Sequence, residues 1–444
     1  MNEEKGSFIA LLPLVVFVLL FIGTGIISKD FSNMPINVAL VIAAALALTM
    51  NRKRTLMEKV ETFSKGGGNP NIILMAMIFI LAGAFAEVAK GMGAVEATVN
   101  LGMSFLPGNM LMVGMFVIGC FISISMGTST GTVVALAPIG IGIAEQTDIS
   151  LALSMATVVG GAMFGDNLSM ISDTTIAAVR TQHTKMRDKF KVNFFIVLPG
   201  AIVTAVILGL ITMNAQAAVS QEYSFELLKV LPYLAVLIAA IVGVHVLVVL
   251  FGGTLFAGII GWMDGSYSLS TFFKAVSEGI MSMENLAIIA IIIGGMVELI
   301  KFNGGITFLL HVITKRIKSK KGAEAGIAGL VSATDIATSN NTISIIITGP
   351  LAKSVADEYD IDPRKTASLL DIFSSCFQGI IPYGGQLLAA SGLAAISPVT
   401  IMPYSFYPFM LGICGIVAIL IGYPKWKNLR KPEKQVKTKA TSKM

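Results

Sequence analysis

The sequence predicts an all-α polytopic membrane protein of two inverted repeats, each with a re-entrant hairpin and a broken transmembrane helix. Three observations carry this: a composition too apolar for water, basic residues gathered into four clusters, and self-similarity between the halves. Of 444 residues, 55% are apolar or aromatic and 13% are charged, and the mean hydropathy is +0.80. A soluble domain carries roughly a quarter charged residues, so the solvent of this chain is the bilayer. A disordered chain is excluded by the same figures. Cys120, Cys376 and Cys414 lie far apart in apolar runs, which gives neither a disulfide framework nor a metal-ligand spacing.

The formal charge of +6 reports topology. Of the 32 Lys and Arg, 23 fall in four stretches, Arg52 to Lys65, Arg180 to Lys191, Lys315 to Lys321 and Lys425 to Lys443. Basic loops stay in the cytoplasm, so no nucleic-acid partner is expected, and both termini are placed inside a cytoplasmic membrane. The apolar run Phe8 to Ser28 is too long for a signal-peptide core and lacks a small-residue cleavage site, so it is expected to persist as a helix.

A bilayer crossing needs about 20 largely apolar residues. That length yields spans at 8–28, 34–50, 70–90, 151–180, 192–213, 230–246, 247–263, 281–300, 366–394 and 400–423. Two stretches, 109–145 and 325–356, instead hold short apolar arms around polar centres and read as re-entrant hairpins. The expected organisation is an N-terminal helix in 1–33, a first repeat over 34–190, linking helices over 191–246, a second repeat over 247–395, a last helix over 396–424 and a basic tail over 425–444. Within the repeats, 151–180 and 366–394 are the broken helices.

The halves echo each other. Ala86-Glu87 through Lys90 to Gly93 matches Val297-Glu298 through Lys301 to Gly304; Thr128-Ser129 to Thr132 matches Thr338-Ser339 to Thr342; Pro138 to Ile149 matches Pro350 to Ile361. An odd number of crossings between the hairpins would invert the second copy, the plan of secondary transporters whose site forms at the repeat interface.

An ionised side chain in mid-membrane costs about 2.5–3.5 kcal/mol on insertion scales, so each candidate needs a reason. Glu87, Asp166, Asp173, Glu298, Asp335 and Asp371 stand out. Glu87 and Glu298, beside Lys90 and Lys301 at helix ends, read equally well as interfacial ion pairs. Asp173 or Asp371 could instead pair with Arg180 or Lys365. The densest cluster runs from Gly160-Gly161 through Gly165-Asp166-Asn167 to Thr175; its glycines and short polar side chains predict an unwound helix. Its counterpart carries Asp371, Ser374, Ser375, Gln378 and Pro382. The expected ion-binding set is Thr128, Ser129, Thr130, Asp166, Asn167, Ser169, Ser172, Asp173, Thr174, Asp335, Ser339, Asn340, Asn341, Thr342, Asp371 and Gln378, with Na⁺ itself on Asp166, Asn167 and Asp173. These are hard oxygen donors, suited to a small hard cation.

Gly127-Thr-Ser129-Thr-Gly131 also matches the G-x-S-x-G pattern of serine hydrolases. That chemistry needs a histidine base, and His183, His245 and His311 all fall at span ends or in loops. No P-loop, dinucleotide or H-E-x-x-H motif is present, so no cofactor is expected beyond the transported Na⁺ and H⁺.

At Gly165-Asp166-Asn167-Leu168-Ser169 to Ser172-Asp173-Thr174-Thr175, and at Gly127 to Thr132, the chain resembles the NhaC-type sodium/proton antiporters of the ion transporter superfamily, over about residues 35 to 425. Many relatives carry Lys and Pro where this chain has Asn167 and Met170. The resemblance implies a site built from hairpin tips and broken helices, a scaffold and a mobile transport part. The expected function is Na⁺/H⁺ exchange by alternating access, with a sodium-coupled carrier of an amino acid or small carboxylate as the alternative and an intramembrane serine hydrolase behind both. The expected partners are the lipid bilayer, Na⁺, H⁺, a small organic substrate under the alternative, and a second copy of the chain in a homodimer.

Overall fold

The computed structural model describes residues 6–24, 27, 34–105, 108–170, 172–215, 225–242, 244–314, 317 and 319–424. The basic tail 425–444, most of the outer loop 214–226, and Lys315, Arg316 and Lys318 of the third basic cluster lie outside them. Every regular element among the described residues is helical. A helix satisfies its backbone groups within one segment, which a bilayer demands.

The first half holds α1 (Leu12–Val18), α2 (Ile36–Thr49), α3 (Leu56–Gly67), α4 (Pro70–Gly91), α5 (Ala94–Phe105), α6 (Leu111–Met126), α7 (Ser129–Gln146), α8 (Leu151–Leu168), α9 (Asp173–Thr181) and α10 (Met186–Ile211). The second holds α11 (Leu227–Ile241), α12 (Val246–Met263), α13 (Leu269–Phe302), α14 (Gly305–Thr314), α15 (Lys320–Thr338), α16 (Asn341–Glu358), α17 (Pro363–Gln378), α18 (Gly385–Ala394), α19 (Pro398–Ile401) and α20 (Phe406–Leu420). The starts of α7, α8 and α9 at 129, 151 and 173 recur at 341, 363 and 385, each 212 residues later.

By length and composition, six described helices can cross a bilayer: Pro70–Gly91, Gly108–Met126, Leu151–Thr181, Met186–Ile211, Val246–Met263 and Leu269–Phe302. Gly385–Ala394 with Pro398–Tyr404, bent by 104°, would make a seventh. Five of the ten spans read from sequence are among them, and Gly108–Met126, expected as a short arm of the hairpin at 109–145, is itself long and apolar enough to cross. The stretches near 8–28, 34–50, 230–246 and 400–423 form shorter apolar helices, Phe8–Phe21, Ile36–Thr49, Leu227–Ala239 and Phe406–Leu420. Along α10 the outward face is apolar, with Phe195, Ile202, Val206 and Leu210 exposed, whereas Asn193 and Thr204 are buried. Polar groups inside and hydrocarbon outside is the arrangement lipid favours.

Both hairpins turn on a left-handed residue followed by an extended N-cap. After α6, Gly127 has φ +67° and Thr128 accepts from the Gly131 N–H at 3.3 Å. After α15, Ser339 has φ +51° and Asn340 accepts from the Ile343 N–H at 2.9 Å. Glycine meets that turn freely, while a side chain pays about 1–2 kcal/mol; the Ser339 hydroxyl, donating to the Tyr383 carbonyl at 2.7 Å, holds the strained copy in place.

The glycines expected to open the helix at 151–180 do something else. α8 runs unbroken through Gly160, Gly161 and Gly165, and a Cβ at the last two would come within 2.5 Å of the Phe116 carbonyl and 2.4 Å of the Cys120 carbonyl. They let α6 and α8 approach. The break comes after them, between Leu168 and Asp173, where Ser169 turns to the Ile124 carbonyl at 2.7 Å. In the second half α17 stops at Gln378 and α18 starts at Gly385, with Pro382, which has no N–H to donate, in the gap.

Glycine also sets the contact of α3 and α4 with α13. A Cβ on Gly83 would lie 2.1 Å from the Gly279 carbonyl and one on Gly279 2.3 Å from the Gly83 carbonyl. At the other end, Gly66 and Gly294 meet in the same reciprocal way, at 2.4 and 2.8 Å. The late part of α4 thus faces the early part of α13, and α3 faces its late part, so the two run antiparallel.

Candidate functional site

Four helices bring their N-terminal ends to one cavity of about 110 Å³: α7 at Ser129, α9 at Asp173, α16 at Asn341 and α18 at Gln386, beside Asn71 in the first turn of α4. Ten of the residues expected from sequence line it, namely Thr128, Ser129, Thr130, Asp166, Ser172, Asp173, Thr174, Asn340, Asn341 and Thr342. Both hairpin tips and both helix breaks therefore contribute to one chamber. At roughly 30 Å³ per water, it has room for an ion and a few waters.

Asp166, on the last turn of α8, is 3% exposed. Its Oδ2 accepts from the Ser129 hydroxyl at 2.8 Å, and its Oδ1 has no hydrogen-bond partner among the described residues. None of the described ion pairs includes it; the buried ones are Lys189 with Asp371 and Lys365 with Glu324. Ser129 also accepts from Gln386 Nε2 at 2.8 Å, and Gln386 Oε1 accepts from Gln378 Nε2 at 3.0 Å. Asp173 stands exposed at the start of α9, on the cavity wall. Ser172 and Thr174 share a hydrogen bond of 2.9 Å beside it.

The other six expected residues do not line the cavity. Ser169 closes the break after α8, and Ser339 holds the second tip. Asp335 is fully buried in α15, 3.5 Å from Ser344 Oγ, with Gln378 packed beside it. Asn167 and Asp371 belong to a clamp on the end of α8. Lys189 of α10 pairs with Asp371 of α17 and donates to the Asn167 carbonyl at 2.8 Å and to Thr175 at 3.0 Å. Asn193 donates to that carbonyl at 2.8 Å and to Asn167 Oδ1 at 2.5 Å, and Ser368 donates to Asn193 Oδ1 at 2.6 Å. The clamp satisfies the Asn167 carbonyl, one of those that a helix end leaves without partners. Asp371 therefore pairs with neither Arg180 nor Lys365; Lys365 is taken by Glu324 at 2.7 Å. With both amide atoms of Asn167 engaged, by Ser375 at 3.3 Å and by Asn193, its side chain faces the clamp and not the chamber.

Sequence reasoning missed Lys189, Asn193, Asn71 and Gln386. In sequence Lys189 reads as one of a cytoplasmic basic cluster, and only its spacing from Asn193, one helical turn on, marks a shared buried face. Gln386 follows Gly384-Gly385 at a helix start, a polar residue opening an otherwise apolar helix. Ser129 has Asp166 and Gln386 as partners and no histidine, so it lacks the base a hydrolase needs.

A second cavity of about 600 Å³ lies toward the C-terminal ends of α4, α7 and α18, where Glu87, Lys90, Glu96 and Glu145 line it. Glu298 is partly buried, 3.5 Å from Lys301. Among the described residues no group of three His, Cys, Asp or Glu side chains gathers, so any cation held at the chamber draws chiefly on neutral oxygens.

An uncompensated buried carboxylate ringed by hydroxyls and amides, at the ends of interrupted helices, is the equipment of an ion carrier, and similarity to known proteins agrees. The chain is 26% identical to the Na⁺/H⁺ antiporter NhaC of Bacillus subtilis, over 96% of this chain and 99% of that protein. It is 23% identical to the Na⁺/H⁺ antiporter NhaC of Alkalihalophilus pseudofirmus, over 95% and 98%. It is also 19% identical to a malate-2H⁺/Na⁺-lactate antiporter of Bacillus subtilis, over 88% and 90%. The description of the Na⁺/H⁺ antiporter family matches residues 6–213 and again 212–426. Matched along both halves, the chain belongs to the Na⁺/H⁺ antiporter family.

Proposed function

We propose that this membrane antiporter exchanges Na⁺ for H⁺ at Asp166, with Asp173 at the chamber mouth and Ser129, Thr130, Asn340, Asn341 and Thr342 supplying neutral oxygens. The observation that carries the proposal is the state of Asp166: buried, without a cationic partner, one oxygen held by Ser129 and the other unpartnered. A carboxylate must lose its proton before it coordinates a metal ion, so one group cannot hold both ions, and that competition enforces exchange.

Two inverted repeats, one side of each acting as scaffold and the other as transport domain, are the architecture we attach to this site. The glycine contacts support it. Gly66 and Gly279 occupy equivalent places, as do Gly83 and Gly294, because α3 and α4 are separated by a break that α13 lacks. The contact of Gly83 with Gly279 is then repeated by Gly294 with Gly66, the reciprocity of a twofold, and the antiparallel run of the pair makes the twofold an inverting one. With the basic loops at 51–69, 180–191 and 301–324 held inside, both termini are cytoplasmic.

In proteoliposomes carrying an internal pH dye, external Na⁺ is expected to drive proton movement, and Asp166→Asn to abolish it in protein that remains monodisperse. Exchange by Asp166→Asn at the parental rate would contradict the assignment. A second reading, with a small carboxylate as co-substrate, is favoured by the four helix N-termini aimed at the chamber, which attract negative charge. Uptake of labelled malate or lactate driven by Na⁺ would establish it; Na⁺/H⁺ exchange with no such uptake would remove it.

A further inference from the structure

The stretch between Leu168 and Asp173 parts the two carboxylates of the chamber. Asp166 lies on the last turn of α8 and Asp173 opens α9, and both line the cavity. Backbone outside a helix has no i→i−4 ladder to hold its spacing, so the separation of the two carboxylates has to be set from elsewhere.

One ammonium group reaches both flanks of the break. Lys189 of α10 donates to the Asn167 carbonyl at 2.8 Å on one side and to the Thr175 hydroxyl at 3.0 Å on the other, and its third N–H meets Asp371 Oδ2 of α17. Each direction is fixed by the acceptor. A carbonyl and a carboxylate only accept from an ammonium, and the Thr175 hydroxyl, which donates to the same Asp371 oxygen at 3.3 Å, takes the ammonium on a lone pair. Asn167, Thr175, Lys189 and Asp371 are each at most 2% exposed, so the bonds are shielded from water.

The Thr175 contact is more than a helix end requires. The Asn167 carbonyl already accepts from Asn193 Nδ2 at 2.8 Å, and a bond to Thr175 satisfies nothing on α8. Its effect is to tie the residue beside Asp166 to the second residue after Asp173 through a single nitrogen. We infer that Lys189 and Thr175 are positioning residues for exchange, stapling α9 to α8 across the break and so fixing Asp173 relative to Asp166. The inference rests on the assignment of Asp166 as the exchanging group. Neither residue lines the chamber, so the spacing of the carboxylates is set from behind its wall, by α10 and α17. Selection among small hard cations depends on the size of the site and on how rigidly its oxygens are held, and the staple therefore sharpens the preference between Na⁺ and Li⁺.

The test measures the Na⁺ and Li⁺ concentrations that half-saturate exchange in proteoliposomes. Thr175→Val keeps the shape of the side chain and the pair of Lys189 with Asp371, and loses only the hydroxyl. It is expected to raise the half-saturating Na⁺ about three- to tenfold, part of the worth of a hydrogen bond to a charged group, to bring the Na⁺ and Li⁺ values closer together, and to leave the maximal rate within about twofold. Thr175→Ser, which keeps the hydroxyl, should stay within about twofold of the parent on every measure. The charge-free variant Lys189→Met with Asp371→Leu should carry the same Na⁺ defect although its folding is not limited by a stranded charge, and it decides the matter if Thr175→Val does not fold. Parental half-saturation in either of these variants, a loss confined to the maximal rate, or a Thr175→Ser as impaired as Thr175→Val would each overturn the inference. A failure of the Asp166 assignment shows separately, as parental exchange by Asp166→Asn.

Discussion

At the scale of single residues, the site separates compensated charge from uncompensated charge. Asp371 is neutralised by Lys189 and Glu324 by Lys365, whereas Asp166, held by the Ser129 hydroxyl, is in none of the described ion pairs and shares the chamber with Asp173. Removing one partner of a buried pair leaves the other charge stranded, at a cost of about 3–5 kcal/mol, while replacing both is tolerated far better. Lys189→Ala should therefore lower the melting temperature in detergent sharply, and Lys189→Met with Asp371→Leu should recover much of the loss. A double variant no more stable than the single one would mean that the pair serves something other than the clamp. The sequence made the acidic half of this arithmetic legible, since a carboxylate in an apolar run is conspicuous. The basic half was hidden, because Lys189 lies among the loop lysines and arginines and burial cannot be read from a charge run. Likewise Asn167 reads as a ligand by composition, and only contact with Asn193 and Ser375 shows what its amide holds.

Helices and their junctions carry a second set of consequences. The polar centres of 109–145 and 325–356 mark where the chain turns, and both turns fall there, at Gly127 and Ser339. The glycines of α8 mark a close approach to α6 and not the opening that follows, because a glycine in sequence does not say whether it frees the backbone or admits a neighbour. The glycine pairs between α3, α4 and α13 yield a paired prediction. Under the proposed inverted repeat Gly83 and Gly294 are equivalent, and Gly83→Val and Gly294→Val each force a side chain against backbone, so both should destabilise by about 1–3 kcal/mol or more. Thermal unfolding in detergent would check this, and tolerance of one with collapse of the other would break the equivalence of the two contacts.

For the molecule as a whole, the alternation of apolar runs and basic clusters made the helical membrane character legible, and the offset echoes pointed to paired halves. The number of crossings was less so. Apolar runs that look long enough in sequence resolve into helices of 10–17 residues, and α17, at 16 residues, is both short and polar although it sits in the core. The proposed orientation, with the basic loops inside, predicts that cysteines at Lys53 and Lys185 react with an impermeant maleimide only from the cytoplasmic face, and one at Gly265 only from the outer face. Labelling of Lys53→Cys and Gly265→Cys from the same side would overturn the arrangement. The central claim is that one buried carboxylate holds either a proton or a sodium ion. It is tested most directly by counting protons released as Na⁺ binds to purified protein in weakly buffered detergent, at a pH low enough for Asp166 to carry its proton. About one proton per bound Na⁺ is expected from the parent, and neither binding nor release from Asp166→Asn. Sodium binding with undiminished proton release in Asp166→Asn would contradict the account.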